Sequence, residues 1–322
     1  MDLDPGRLDA LAAVVEEGTF EAAARRLQVT PSAVSQRVKA LEQQAGQVLV
    51  LRSRPCRPTQ AGRALVRLAG QIATLRAEAA RAVAGTGDRL RLPVAVNADS
   101  LSTWFPTALV GLPEHVVVEL HREDQDHSAE LLRDGAVMAA VTADARAVQG
   151  CRVHALGAMR YLAVAAPDFH ERWFGTSLPD GLRAAPVLRF NRKDALQDRF
   201  ASRVLARAGE TRTGGTQPTS GGPAPAGLEA SAPVHEVPEQ TAFVELVRAG
   251  LGWGMVPEQA AQDLLADGDL VTLGDEPLDV PLYWQHWRID APSLVELTAR
   301  VERAARAGLV SVHRDPRGPG NR

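Results

Sequence analysis

Cysteine is scarce: Cys56 and Cys151 stand alone in 322 residues, in different segments and without metal-ligand spacing, which argues against a disulfide framework or a zinc site. Lysine is scarce too, since 34 of the 36 basic residues are arginine, a bias that fits a GC-rich coding sequence better than a mechanism. No uninterrupted apolar run approaches the roughly 20 residues of a bilayer-spanning helix. The opening MDLDPGRLD is acidic, unlike a secretory leader, so a cytoplasmic chain with no membrane partner is expected. Signatures of chemistry are missing as well. There is no G-x-S-x-G elbow, no G-x-x-x-x-G-K-[ST] loop, and the eight histidines show no H-E-x-x-H or similar spacing. GLGWGMVP alternates glycines, but they follow a helix and enter a strand, the reverse of the dinucleotide-binding order. The expectation is no enzyme, no cofactor and no metal.

What is present is a chain long enough for two or three domains, 45% hydrophobic and 23% charged, the composition of a soluble globular protein. The net charge of -3 conceals a division. Residues 1–86 hold 12 Lys and Arg against 8 Asp and Glu, and the remainder 24 against 31. A basic front on an acidic body is the pattern of a chain whose one end meets phosphates.

Within that front, FEAAARRLQVTPSAVSQRVKALEQQAG (Phe20 to Gly46) holds two helix patterns. Phe20, Ala23, Ala24 and Leu27 form one apolar face. Thr30 and Pro31 then supply an N-cap and a first helical residue, and Val34, Val38 and Leu41 point inward. Ser32, Ser35, Gln36 and Lys39 form the opposite row. A polar row is by default a solvated face. An earlier helix changes that reading: Asp4-Pro5 repeats the cap-then-proline signal, Leu8, Leu11, Ala12 and Val15 repeat the spacing, and Gly18 closes it. Three short helices with a tight turn between the last two form a helix-turn-helix, over about 20–39, whose final helix lies in a DNA major groove.

QVLVLRSRPCRPTQAG continues as a strand, from the alternation of Val48 and Val50 with Leu49 and Leu51, and as a stiff basic loop carrying Arg52, Arg54 and Arg57. It reads as a wing reaching phosphates or the minor groove, or as a solvated basic loop. From Thr59, the residues Ala61, Leu65, Leu68, Ile72, Leu75, Ala79 and Ala82 repeat every 3.5 positions, the seam of a coiled coil. Dimerisation through Leu65, Leu68, Ile72 and Leu75, and so an approximately palindromic operator, is the expectation. An intrachain packing helix is the alternative.

Beyond AGTGD, a hinge, the grammar alternates. RLRLPVAVNAD, VVVELHRED, AVMAAVT, YLAVAAP, APVLRF, VHEVP and GWGMVP read as strands; SLSTWFPTALVGL, SAELLRDG, DALQDRFASRVLARAG and QTAFVELVRAGL read as helices. Parallel sheets with crossover helices follow, in two α/β lobes. Gly209 to Pro233, rich in Gly, Pro, Thr, Ser and Ala, reads as a disordered spacer. The expected plan is a winged helix-turn-helix over 1–58, a linker and dimerisation helix with hinge over 59–87, an effector domain over 88–312 and a tail over 313–322. Lobe I is expected at about 88–164 with 257–312, and lobe II at about 165–256 with its insertion at 209–233.

The helix-turn-helix stretch, RPTQAG opening a long helix, and the two lobes resemble the LysR-type transcriptional regulators over almost the whole chain. VNADSLSTWF, Glu123-Asp124 and LYWQHW are similar to the ArgP/LysG-like subgroup, which senses basic amino acids and controls their export. The resemblance implies dimers, often tetramers, a pair of lobes resembling type 2 periplasmic binding proteins around an effector, and contact with RNA polymerase. It implies Pro31, Ser32, Ser35 and Gln36 at bases, with Arg37, Lys39, Arg52 and Arg54 nearer phosphates. Val50, where many members carry Phe, and the 209–233 insertion depart from the pattern.

In doubly wound sheets, ligands bind beyond the carboxyl ends of strands. There Ser100 and Ser102 suit a ligand carboxylate, unless each merely caps its helix. Asp99, Glu123, Asp124 and Asp144 suit a cationic side chain, unless they are solvated loop carboxylates. Thr142 and, from the second lobe, Glu239, Gln240 and Thr241 complete the expected effector set. Lysine or arginine is the expected effector, with a different metabolite as the alternative.

Overall fold

The computed structural model describes residues 3–84, 89–122, 125–212 and 232–311. They form two compact units, Met1–Leu156 with Leu282–Ala307, and Gly157–Pro281 with Gly308–Arg322. The expected hinge at 85–88, Glu123, Asp124, the greater part of the expected insertion and the tail from 312 lie outside the described residues.

The first unit opens with α1 Pro5–Glu17, α2 Phe20–Arg26 and α3 Pro31–Ala45. Each start is fixed by a side-chain oxygen accepting from an N–H that the helix leaves unpaired: Asp4 from Arg7 at 3.0 Å, Thr19 from Ala22 at 3.1 Å, Thr30 from Ala33 at 3.2 Å. Gly18 and Gly46 close α1 and α3 in the left-handed region, and Gln28 takes φ 54° in the turn between α2 and α3. Leu8, Leu11, Val14, Ala23, Ala24, Val34, Val38 and Leu41 share one buried core. The wing is a minimal antiparallel pair, β1 Val50–Leu51 with β2 Arg57–Pro58. Its expected alternation fails, because Leu49 and Val50 are both buried while Val48 and Leu51 are both exposed. Glu42 Oε1 accepts from both Leu49 N at 2.9 Å and Val50 N at 3.4 Å, which tucks both residues over the end of α3.

Helix α4 spans Gln60–Ala84. Thr59 Oγ1 accepts from Gly62 N at 3.1 Å and donates to Val48 O at 2.8 Å, so cap and wing share one hydroxyl. The intrachain alternative accounts for part of the helix. Val66 and Ala69 are buried in the three-helix core, and Leu65, Leu68 and Ile72 pack half-buried against it, whereas Leu75 is 42% exposed. A second stripe one position along from the seam supplies the intrachain face, which the 3.5 repeat by itself does not reveal.

The rest of this unit is a sheet of β3 Leu90–Val96, β4 Val116–Arg122 and β5 Ala139–Thr142, with the end of β11 Leu278–Trp287. β3 runs parallel to β4 and β5, and β11 antiparallel to β5. The sheet is therefore mixed, not parallel throughout. The single helix expected over 100–112 is two short ones, α5 Ala98–Ser102 and α6 Pro106–Leu109, since Pro106 starts a new helix and has no N–H to continue the old one. Helices α7 Gln125–Asp134 and α13 Pro292–Gly308 belong here. Trp284, fully buried, donates from Nε1 to Thr298 Oγ1 on α13 at 3.0 Å. Cys151 is also buried, and desolvation pushes its thiol up to about 11.

The second unit holds most of β6 Cys151–Ala165, ten residues longer at its start than the expected strand, paired antiparallel with β9 Gly254–Pro257 and β10 Val271–Thr272. β7 Val187–Arg189 pairs parallel with β8 Val234–Glu236. Helices α8 Pro167–Phe174, α9 Leu178–Ala184, α10 Leu196–Arg212, α11 Gln240–Arg248 and α12 Glu258–Ala266 complete it. α10 thus continues four residues into the stretch expected to lack structure. The chain changes unit within β6 and within β11, where the expected lobe limits were 164/165 and 256/257.

A Cβ on Gly62 would lie 1.9 Å from Leu49 O, while one on Gly46 meets nothing within 4 Å. Gly62→Ala is therefore expected to displace the wing and cost about 1–3 kcal/mol by overpacking. Gly46→Ala, which carries only left-handed strain, should cost about 1 kcal/mol. Urea unfolding of both variants checks this, and equal losses would remove the steric role given to Gly62.

Candidate nucleic-acid and effector sites

The residues expected to read DNA lie on one helix and its wing. Along α3, Pro31, Ser32, Gln36 and Lys39 are exposed and Ser35 and Arg37 half-buried, opposite the buried Val34, Val38 and Leu41. Ser32 Oγ lies 2.9 Å from the capping Thr30 Oγ1, which ties this exposed hydroxyl to the helix start. Arg52 and Arg54 are exposed on the loop between β1 and β2. The Arg52 guanidinium sits 5.2 Å from the Phe20 ring centroid, a contact worth about 0.5–1 kcal/mol at an exposed site that aims the wing arginine from α2.

Charge pairing separates these cations from their neighbours. Arg26 pairs with Glu16 and Glu17, Arg63 with Asp134 and Arg76 with Asp9. Among the described residues, Arg37, Lys39, Arg52 and Arg54 form no such pair within 4.0 Å. Cations left unneutralised on one face are what a polyanion requires, since its phosphates supply the missing partners.

Thr142 ends β5, Asn97 follows the end of the adjacent parallel strand β3, and Ser100 lies three residues on in α5. The register Val94 with Ala139 and Ala95 with Ala140, continued two residues, sets Asn97 level with Thr142. Ser100 is fully buried and its Oγ has no hydrogen-bond partner; Asn97, 4% exposed, leaves Oδ1 equally unpartnered. A buried polar atom left without a partner costs about 1–3 kcal/mol, so each of these two atoms is a candidate for a polar ligand. Thr142, fully buried, accepts from Asp144 N at 3.1 Å and keeps its hydroxyl proton.

The remaining expected residues divide. Ser102 is exposed and donates to Asp99 O at 3.1 Å, the local helix bond weighed against ligand binding. Asp144 Oδ1 accepts from Arg146 N at 2.8 Å within its own loop. In the second unit, Glu239 caps α11 by accepting from Thr241 N at 3.1 Å and Ala242 N at 2.7 Å, and Thr241 is exposed. Gln240, 8% exposed, leaves Nε2 unpartnered.

Several groups escaped the sequence reading. Asn97 is one. Fully buried Gln285 is another: it accepts from Val148 N at 3.0 Å and donates to Asp144 O and Arg146 O, each at 2.9 Å, holding the loop that follows Thr142. Its signal was a polar pair, Gln285-His286, inside the apolar LYWQHW. In the second unit, Arg189 is 3% exposed and donates to both oxygens of Asp198 at 2.8 Å. Gln197, fully buried, leaves Oε1 unpartnered.

Comparisons place these features in a family. Residues 6–63 match the bacterial regulatory helix-turn-helix proteins of the lysR family, and residues 85–303 the LysR substrate binding domain. The HTH-type transcriptional regulator LysG of Mycobacterium tuberculosis is 48% identical over 99% of this chain and 98% of its own. The crystal structure of ArgP from Mycobacterium tuberculosis, 47% identical, covers 97% of this chain and 100% of that one with a TM-score of 0.82. That of full-length LysG from Corynebacterium glutamicum with bound effector Arg is 39% identical, covers 96% and 100%, and has a TM-score of 0.73. This chain belongs to the LysR family of bacterial helix-turn-helix transcriptional regulators.

Proposed function

We propose that this LysR-family regulator binds promoter DNA as a dimer or tetramer and changes transcription in response to a basic amino acid, arginine or lysine, controlling its export or related metabolism. The observation that carries the effector reading is the pair of buried, unpartnered atoms Ser100 Oγ and Asn97 Oδ1 beyond the end of β3. A hydroxyl donor beside an amide acceptor, with the Thr142 hydroxyl level with them, fits the carboxylate and ammonium of an amino acid. The arginine bound to the similar LysG structure supports the choice of class. Gln240 adds an amide donor from the second unit. Ser102 is engaged within α5 through Asp99 O, and Thr241 gives its backbone N–H to the Glu239 cap of α11. Glu123 and Asp124 remain part of the proposed set by the subgroup resemblance alone.

On DNA, Pro31, Ser32, Ser35 and Gln36 meet bases, and Arg37, Lys39, Arg52 and Arg54 meet phosphates. Leu65, Leu68, Ile72 and Leu75 pair two chains, with Leu75 presenting the freest apolar surface of the four. Such a regulator works at the nucleoid in the cytoplasm, beside RNA polymerase. Among the described residues, no helix is long and apolar enough to cross a membrane.

Isothermal titration of the full chain with arginine, lysine and a neutral amino acid tests the effector. Heats only from the basic pair are expected, with binding weakened about tenfold or more by Ser100→Ala through the loss of one hydrogen bond to a charged group; equal or absent heats would discard the assignment. For DNA, Ser35→Ala with Gln36→Ala should lower discrimination between operator and random duplex, each lost base contact costing about 1–3 kcal/mol. Arg52→Ala should weaken both duplexes alike and reduce the salt slope by about 1; if both variants behave the same, the division of base and phosphate readers fails. Leu75→Glu should convert the oligomer to monomer in sedimentation without loss of helix signal, and an unchanged mass would move the interface elsewhere.

A further inference from the structure

Away from the proposed effector rim, the first unit holds a chain of three titratable groups, His286 buried and His154 and Glu302 half-buried. His286 on β11 is 5% exposed, and its Nδ1 lies 2.8 Å from Trp287 O. His286 Nε2 lies 3.2 Å from Nε2 of His154 on β6. His154 Nδ1 lies 2.7 Å from Glu302 Oε1 on α13. The two rings stack with centroids 5.2 Å apart. Since His286 pairs with Ala139 and Tyr283 with Thr142, the cluster lies three residues, about 10 Å, along β5 from the effector rim.

The proton count follows from donors and acceptors alone. A carbonyl only accepts, so His286 Nδ1 must carry hydrogen. The contact of His154 with Glu302 holds one proton, whichever atom bears it. The two Nε2 atoms meet within hydrogen-bond distance only if one of them is protonated. Three contacts therefore hold three protons. Two neutral imidazoles beside an ionised carboxylate supply only two, and without the third two nitrogen lone pairs would face each other. The third proton gives the histidine pair one positive charge, balanced by Glu302.

We propose that His154, His286 and Glu302 form a proton-binding site whose third proton fastens β6, β11 and α13 together. A cavity of about 220 Å³ lined by His154, Ala155, Leu156, Glu302 and Arg306 opens this site to exchange with water. The other charges facing it are Arg152 on β6 and Arg306 on α13; both oppose the positive charge that the third proton brings, and Glu302 offsets them. Burial acts in the same sense as the two arginines, holding His286 below the ordinary imidazole range. Trp287, next to His286, packs over Gly70 of α4, where a Cβ would meet its ring at 2.7 Å. The state of the site thus reaches the seat of the linker helix. Its sign is set by linkage: the third proton stabilises the fold while bound, and that contribution is lost as pH rises through its release. The contribution from neutral His286 is present above the unfolded imidazole value and is lost as pH falls through the depressed folded one.

The test uses the full chain with ¹⁵N-labelled histidine, assigned through His154→Phe and His286→Phe. Expected are His286 protonated at Nδ1, a proton shared between the two Nε2 atoms, and a joint titration that moves to lower pH in Glu302→Gln. The thermal midpoint of wild type should exceed that of His154→Phe by about 2 °C or more at pH 6 relative to pH 8.5, the shift for roughly 1 kcal/mol. Two rings that titrate independently and ignore Glu302→Gln, or a midpoint difference flat with pH, would overturn the proposal. Should the variants fail to fold, the wild-type nitrogen shifts decide alone, because two neutral imidazoles throughout pH 6–8 contradict a third proton.

Discussion

A helix has one circumference, and α4 divides its own among three surfaces. Val66 and Ala69 complete the core of the DNA-binding helices. Gly70 lets Trp287 approach, Arg67 Nη1 donates to Gln149 O at 2.8 Å, and Glu78 Oε1 accepts from Ser293 N at 2.9 Å at the start of α13. Leu75 is left over, apolar and exposed. A strict coiled-coil stripe occupies a narrow arc, so the first and second duties fit beside it only because small residues, Gly62, Ala69 and Gly70, admit close neighbours. Enlarging any of these disturbs two modules at once.

This sharing also explains why the sequence left two readings of α4 open. A 3.5 repeat is visible in any window, but the stripe one position along contains glycine, valine and alanine, which no hydropathy pattern distinguishes from filler. The amino-terminal helices were legible because their starts and stops are local: Asp4, Thr30, Pro31, Gly18 and Gly46 act within four residues of themselves. The wing was less so. Whether Leu49 and Val50 alternate or bury together is decided by Glu42, seven and eight residues away.

Lobe strands were found wherever a short apolar run stood between turn residues. The start of β6 was not, because CRVHALGAMR interleaves arginine and histidine with apolar residues. One of those interruptions, His154, meets His286 and Glu302. The effector residues divided similarly. Serine and threonine near a strand end suggest a ligand and a helix cap equally, and only burial separates Ser100, hidden and unpartnered, from Ser102, exposed and bonded to its own helix. Spacing encodes which residues share a segment; it does not encode which polar atoms the remainder of the chain leaves unsatisfied.

The same placement constrains how an effector signal leaves the first unit. Asn97 follows β3, on one side of β5. Thr142 ends β5, whose neighbour on the other side, β11, runs on to Trp287, and Trp287 packs over Gly70 of α4. Gln285 joins the two, holding the loop after Thr142 from within β11, two residues before Trp287. A ligand that orders that loop acts on a strand shared with the linker seat, so no long chain of intermediates is needed. The coupling is reciprocal: DNA that favours one setting of α4 must alter effector affinity by the factor with which effector alters DNA affinity. Its size is bounded by the effector's preference between the two settings, and a ligand binding both equally would shift neither.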